Sequence, residues 1–466
     1  MITSPAFRGR RYAVLGLARS GLATVEALVA SGAEVTAWDE REEARAALLS
    51  SPAFAGEGDH AQHGGGALLP EEPPPPHFVR SPSPRNRGED IRLADPLAID
   101  LAGYDGVVVS PGVPLNTHPI AAKARAAGVP VIGDIELFAQ SRASLPPHKV
   151  VGITGTNGKS TTTALVHHIL ETAGVPTTMG GNIGLPILAQ DPLPEGGVYV
   201  LELSSYQIDL TFSLDCEVAV LLNITPDHLD RYESFEAYAA SKARLFEMQA
   251  NAHPAILLQE DEASHRIGQS LSRPDRRSYW VRPEDAEGQE NWPALQGPHN
   301  RQNAAMGIAI ACALGVSDED IDVALHTYPG LPHRMERVAE RGGILFVNDS
   351  KATNPESTAP ALAAFPYIHW IVGGVAKSDS LGPCADQLDH VRAAYTIGEA
   401  GPMFARLLQD RVKVTQSGLL DVAVKDAADA AVAGEVVLLS PACASFDQFR
   451  DYEARGQAFR DAVEAL

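Results

Sequence analysis

The stretch Lys149-Val-Val-Gly-Ile-Thr-Gly-Thr-Asn-Gly-Lys-Ser-Thr161 constrains the fold of this chain more than any other. An apolar run suited to a buried strand gives way to small residues at Thr154 to Gly158. Lys159, Ser160 and Thr161 then open a helical pattern that reaches His168 and Leu170. Strand, glycine-rich turn and helix in that order predict a phosphate-binding loop. Backbone N–H groups of the turn and helix N-terminus point at phosphate oxygens, the lysine reaches the terminal phosphates, and the next hydroxyl can ligate Mg2+. Gly155, Thr156, Asn157, Gly158, Lys159, Ser160 and Thr161 are therefore candidates for holding ATP or a relative. The spacing G-x-x-x-x-G-K-[ST] would place glycine at 153, where Ile153 stands, so only the shorter G-x-x-G-K-S is met. The competing reading is a packing turn that binds nothing.

With 466 residues the chain has room for about three domains. The pattern predicts an α/β protein divided at 1–145, 146–326 and 327–466. These are a Rossmann-like N-terminal domain, a central P-loop ATPase-like mononucleotide-binding domain and a C-terminal dinucleotide-fold-like domain. Tyr12 to Leu17 reads as a strand, Gly16 to Gly21 as a turn, Leu22 to Ala30 as a helix and Glu34 to Trp38 as a second strand ending at Asp39. That is the opening of a doubly wound nucleotide-binding sheet, although Ala18 replaces the middle glycine of the usual fingerprint. Residues 56–95 contain Gly64 to Gly66 and Pro73 to Pro76, with too little apolar surface to offset ordering, and predict a disordered insertion. Tyr104 to Val113 resumes order as a strand entering the turn Ser110-Pro111-Gly112. In the last segment, strands at 344–347, 368–372 and 436–439 each run into a polar turn, the arrangement in which open sheets place ligands.

Several polar residues stand where burial is expected. Glu202 lies inside the apolar run Val198 to Leu203, where a carboxylate is costly unless paired or bound to metal. His228 follows the strand 219–225, where it is either structural or a ligand to a metal or substrate. On the predicted helix 235–249, Phe235, Tyr238, Ala239, Lys242, Leu245, Phe246 and Gln249 share one face. Lys242, near its middle, can pair with an acid, snorkel, or be carbamylated by CO2 into a carboxylate-like metal ligand. Asn300 and Asn303 open a small-residue helix; their amides suit a base edge, and Asn300 equally suits a helix cap.

A formal net charge of −22 argues against generic nucleic-acid or anionic-membrane binding. Cys216, Cys312, Cys384 and Cys443 are far apart and show no metal-ligand spacing, as expected in a reducing cytoplasm. The apolar run after Arg8, Arg10 and Arg11 stops at Arg19, too soon for a signal peptide, and no stretch approaches the roughly 18 apolar residues of a membrane span. A cytoplasmic monomer with no integral membrane association is expected.

Taken together, Gly155 to Thr161, Gly181-Asn-Ile-Gly184, Glu202-Leu-Ser-Ser205, Asp227-His-Leu-Asp-Arg-Tyr232 with Lys242, and His299-Asn-Arg-Gln-Asn303 resemble the motifs of the Mur ligases of peptidoglycan synthesis. So do Leu331-Pro-His-Arg-Met-Glu336, Asn348 to Asn354 and Ser440 to Phe449. The likeness covers nearly all of the chain outside 56–95, and is strongest to the D-glutamate-adding branch. It implies ATP-dependent ligation of D-glutamate to UDP-N-acetylmuramoyl-L-alanine through an acyl phosphate. It further implies two Mg2+ ions, one held by Ser160 and Glu202 and one by His228 and a carbamylated Lys242, with Lys159 neutralising the transferring phosphoryl group. Asn300 and Asn303 would meet adenine, and His333, Arg334 and Asp349 the ribose and phosphates. Lys351, Thr353, Lys377, Ser445, Phe446 and Tyr452 would hold D-glutamate; Asp39, Arg41 and Asn182 would face the uridine-linked substrate.

An NAD-dependent dehydrogenase would explain the opening glycine turn and leave Lys159, Glu202, His228 and Lys242 unexplained. A nucleotide-binding protein without chemistry would bind ATP and release no phosphate. A folylpolyglutamate synthase resembles the chain at the loop and the modified lysine, but lacks a counterpart of the first domain.

Overall fold

The computed structural model describes residues 1–50, 91–227 and 231–466, which fall into two compact units. One comprises Met1–Val150, Thr178–Glu217 and Pro226–Ala250; the other comprises Val151–Thr177, Val218–Thr225 and Asn251–Leu466.

In the first unit, β1 (Arg11–Leu15), β2 (Glu34–Trp38), β3 (Ile91–Leu93), β4 (Gly106–Val109) and β5 (Val131–Ile132) are parallel, in the order β3-β2-β1-β4-β5. The order reverses on either side of β1, and a ligand crevice in such sheets opens at the carboxyl ends of the strands where this happens. Ala13, Leu15, Val107 and Val109 bury one face of the sheet with Ile120 and Ala124 of the helix Ile120–Ala126. Two expectations are corrected. The helix after β1 is Arg19–Ala30, so the preceding turn is shorter than Gly16 to Gly21. The predicted insertion cannot extend to 95, because Ile91–Leu93 is β3 and pairs with Val35–Ala37. Its two apolar residues flank Arg92, the alternation of an edge strand; residues 56–90 lie outside the described residues.

Further along come β6 (His148–Thr154), β7 (Thr177–Gly181), β8 (Gly197–Glu202), β9 (Val218–Leu221), β10 (Ala255–Leu258) and β11 (Ser278–Val281). In the second unit β6, β9, β10 and β11 lie parallel, with Val151 level with Val218 and Ala255 level with Ala219. β9 ends at Leu221, four residues before the expected Thr225, and the freed segment 222–225 becomes a loop.

The second unit also holds β12 (Glu336–Arg341), β13 (Ile344–Asn348), β14 (Ile368–Gly373), β15 (Val391–Ile397), β16 (Lys413–Gly418) and β17 (Val436–Leu439), in the order β12-β13-β17-β14-β15-β16. All are parallel except β12, an antiparallel edge strand absent from the sequence reading. The period of two decides the layers. Trp370, Val372 and Leu438 face Leu362 and Phe404 on one side, while Ile371, Val437 and Leu439 face Val424, Phe459 and Val463 on the other. Helices thus cover both faces, and β13, β17 and β14 deliver their three polar turns to one edge. Asn348 is level with Leu439, and Leu439 with Ile371.

Trp370 binds this core to that edge: its ring is fully buried and its Nε1 donates to Ser440 O at 2.7 Å. Trp370→Phe removes ring volume and leaves a buried carbonyl without its donor. Equilibrium denaturation should show a loss of about 3 kcal/mol.

Candidate active site

After β6 the chain turns through Gly155 to Gly158 into the helix Lys159–Thr172. Gly158 caps that helix at φ 85°, and a Cβ there would lie 2.3 Å from Asn303 Oδ1, so only glycine meets both conditions. The loop after β9 holds the turn in shape. Thr156 N donates to Asn223 O at 2.8 Å, Asn157 N donates to Asn223 Oδ1 at 2.8 Å, and Asn223 Nδ2 donates to Asn157 O at 3.1 Å. The Thr156 hydroxyl donates to Thr225 O and accepts from Thr225 N. Lys159 Nζ folds over the turn, donating to Gly155 O at 2.9 Å and Thr156 O at 2.7 Å. A phosphate oxygen is a stronger acceptor than either carbonyl and can draw this ammonium outward. Ser160 and Thr161 are buried in the first helical turn.

The helix Pro298–Leu314 brings both predicted asparagines to this loop. Asn303 Oδ1 accepts from Thr162 Oγ1 at 3.2 Å, Asn303 Nδ2 donates to Asn300 Oδ1 at 3.1 Å, and Asn300 Nδ2 donates to Gln296 O at 3.0 Å. The helix cap is Gly297, which closes the capping reading of Asn300. Beside them, burial and the Arg334 cation push the His299 imidazole down to about 4, so it is neutral at physiological pH.

At the edge of the third sheet, His333, Arg334, Asp349, Lys351 and Tyr452 are gathered. His333 Nδ1 faces the Asn348 amide nitrogen at 3.0 Å. Asp349 Oδ1 accepts from Met335 N at 3.2 Å and Oδ2 from Ser440 Oγ at 2.7 Å. Burial pushes this carboxyl up to about 7, against the opposing pull of the Ser440 hydroxyl and Arg334. Lys351 Nζ lies 5.4 Å from the centre of the Tyr452 ring. Thr353 is half-buried and Ser445 buried, whereas Lys377 and Phe446 project into solvent.

Two further residues of this unit carry no local signal in the sequence. Asn223 carries the loop clamp described above. Arg455, 1% exposed, donates from Nε to Ser350 Oγ, from Nη2 to Ser350 O, and from both Nη1 and Nη2 to Cys443 O, at 2.8 to 3.1 Å. It ties the turn carrying Lys351 to the turn carrying Ser445. Neither has a signal in its own neighbourhood, since Asn223 reaches back 66 residues and Arg455 105.

In the first unit, Asp39 Oδ2 accepts from Leu17 N at 2.7 Å, and Oδ1 accepts from Arg41 N at 3.0 Å and Arg41 Nε at 3.1 Å. Burial works to raise this carboxyl, but the Arg41 guanidinium and the two backbone donors hold it below the ordinary carboxylate range. Arg231 donates to Gly112 O at 2.9 Å and Val113 O at 3.2 Å, and Arg19 to Gly184 O at 3.2 Å. Asn182 Nδ2 donates to Glu202 Oε1 at 2.9 Å. Glu202 ends β8 and is 2% exposed, and its Oε2 has no partner among the described residues. A buried carboxylate oxygen in that state suits a hard, oxygen-seeking cation such as Mg2+. Lys242 is also 2% exposed, with Nζ 4.6 Å from the centre of the Tyr238 ring. His228 lies outside the described residues. No group of three or more His, Cys, Asp or Glu gathers as a metal centre among those described, and none of the described helices is long and apolar enough to cross a membrane.

Residues 153–293 match the Mur ligase middle domain, and residues 333–443 match the Mur ligase glutamate ligase domain. Proteins named UDP-N-acetylmuramoylalanine–D-glutamate ligase from Novosphingobium aromaticivorans and Zymomonas mobilis are 60% and 55% identical, over all of this chain and 97% and 100% of theirs. The structure of UDP-N-acetylmuramate-alanine ligase from Thermotoga maritima aligns with a TM-score of 0.55 at 17% identity, covering 98% of this chain and 99% of that one. A bifunctional folylpolyglutamate synthase/dihydrofolate synthase from Yersinia pestis, complexed with AMPPNP and a manganese ion, aligns at 0.51 and 18% identity over 72% of this chain and 93% of that one. At these identities the two structures speak to the fold.

The Asn223 clamp predicts that Asn223→Ala weakens ATP binding about tenfold, read by titration calorimetry, because two bonds that shape the loop are lost. Asp349 predicts a pH effect on stability. Its carboxyl, ordinarily near 3.8, titrates near 7 in the folded chain. The folded state therefore holds an extra proton between those values, and stability falls as pH rises across that window, by on the order of 4 kcal/mol. Asp349→Asn should remove that part of the slope in denaturation midpoints measured from pH 4 to pH 8.

Proposed function

The chain belongs to the Mur ligase family, and from that premise we propose that it joins D-glutamate to UDP-N-acetylmuramoyl-L-alanine at the expense of ATP, in peptidoglycan synthesis. The observation that carries this reading is the full-length identity of 55% and 60% to ligases of that name. The preformed phosphate loop supports it from the physical side.

ATP phosphorylates the L-alanyl carboxylate; the D-glutamate amine attacks the acyl phosphate; the tetrahedral adduct expels phosphate, leaving the amide and ADP. Both reacting groups come from substrates, so the chain's work is positioning and charge neutralisation. Lys159 neutralises the transferring phosphoryl group, and the amides of Gly155 to Thr161 hold its neighbours. Mg2+ supplies further neutralisation when bound. Ser160 and Glu202 would hold one ion, which would give the orphaned Glu202 oxygen its partner; His228 and a carbamylated Lys242 would hold a second. Carbamylation would exchange a buried cation for an anion with two oxygens able to ligate the metal.

Asn300 and Asn303 meet adenine, and His333, Arg334 and Asp349 the ribose and phosphates. Lys351 and Lys377 face the carboxylates of D-glutamate, with Thr353, Ser445, Phe446 and Tyr452 completing its pocket. Asp39, Arg41 and Asn182 serve the uridine-linked substrate. The three segments 1–145, 146–326 and 327–466 divide these tasks, in a cytoplasmic monomer.

Phosphate release should require ATP, Mg2+, UDP-N-acetylmuramoyl-L-alanine and D-glutamate together. Release that persists without D-glutamate, or that prefers another amino acid, would overturn the reading. Lys242→Ala should lower turnover roughly 100-fold, with partial recovery in added short-chain carboxylate. Full activity in that variant would remove the lysine from the mechanism.

A further inference from the structure

Glu336 closes the motif Leu331 to Glu336, and no role has so far fallen to it. The turn before it is unusual: His333 and Met335 both sit in the left-handed region, at φ 61° and 47°, which costs free energy for residues with side chains and persists only where neighbours enforce it. The enforcing contacts are visible. Arg334 N donates to Leu331 O at 3.2 Å, Met335 N to Asp349 Oδ1 at 3.2 Å, and His333 N to Glu336 Oε2 at 2.8 Å. The same Glu336 oxygen accepts from Asn348 Nδ2 at 3.1 Å, the amide that also faces His333 Nδ1. Its other oxygen accepts from Arg460 Nη2. Both oxygens therefore face donors, and among side chains of this size only a carboxylate satisfies both. The fit is completed from the helix Tyr452–Glu464, where a Cβ on Gly456 would lie 2.1 Å from His333 Nδ1.

We propose that Glu336 is a positioning residue for the nucleotide: by clamping His333 N and Asn348 it holds the left-handed turn that presents His333 and Arg334. The same turn accepts a bond from Lys351 N to His333 O at 3.0 Å, so the clamp also sets the backbone of the turn assigned to the amino-acid substrate. This inference rests on the reading that His333 and Arg334 meet ATP.

The test is steady-state kinetics on the full chain with ATP varied, for Glu336→Gln and Glu336→Ala. Glu336→Gln keeps the volume and turns an amide NH2 against either Arg460 or the His333–Asn348 donors. KM for ATP should rise about 3- to 10-fold in Glu336→Gln and at least 10-fold in Glu336→Ala, with kcat falling less than KM rises. KM for ATP within twofold of wild type in Glu336→Gln would overturn the proposal, even if the melting temperature or the active fraction drops, because neither of those changes KM. Should Glu336→Ala fail to fold, Glu336→Gln decides alone by the same criterion. Direct ATP binding by the wild-type chain separates the two readings: no binding there defeats the ATP assignment itself, whereas normal binding with an unmoved KM in the variant defeats only the role of Glu336.

Discussion

The space between Gly158 and Asn303 Oδ1, too small for a Cβ, is the constraint on which the turn Gly155 to Gly158 depends. A helix N-terminus exposes N–H groups that no helical carbonyl can satisfy, and a phosphate is a good partner only if those groups are already aimed together. In this chain the aiming is done by neighbours. Asn303 presses on the cap, Asn223 grips Asn157 from both sides, and Thr225 locks the Thr156 hydroxyl. Binding then spends little on ordering the loop, which is why the residues that shape it matter alongside those that touch the ligand.

Three buried charged side chains show that neighbours, more than depth, decide which charge state a buried group can hold. Arg455 makes four bonds to oxygens of two turns, and although burial lowers it to about 10 it remains a cation at neutral pH. Asp349 has donors on both oxygens but so little solvent that its neutral form is favoured well above the ordinary range. Glu202 is comparably buried, yet one oxygen is bonded by Asn182 and the other by nothing described. An acid in that state must be neutral or meet a cation, and the proposed Mg2+ role for Glu202 answers that need.

The phosphate loop and the three turns at the edge of the third sheet were legible because their signals are local: an apolar run, small residues, then a helical pattern, all within a dozen positions. The same holds for the buried face of Lys242, which needs only the helical period. Asn223 and Arg455 escaped because their work is done across the fold, at positions with no local pattern; Glu336 was legible as the end of a motif, while its partners Asn348 and Arg460 were not. β12 escaped for another reason. Glu336-Arg-Val-Ala-Glu-Arg341 carries only two apolar residues, side by side, so the alternation of a strand is weak, and its pairing with β13 supplies what the sequence pattern lacks. Ile91–Leu93 shows the converse error: a proline-rich, polar context hid three residues whose own alternation was adequate for an edge strand.

The net charge of −22 stands against the anionic substrates this family of reactions requires, and the local placement of cations resolves the conflict. Charges separated by more than about 8 Å are largely screened at physiological ionic strength, so an acidic surface elsewhere adds little repulsion at the turns. In the proposed reading, what counts is the handful of cations at strand ends: Lys159 at β6, Arg334 before β12, Lys351 after β13 and Lys377 after β14. Each lies on a turn that backbone bonds or buried neighbours already shape, except Lys377, which projects into solvent. Because both reacting groups belong to substrates, these cations need no tuned acidity of their own. They need only to be in the right place, and that is a property of the turns more than of the side chains.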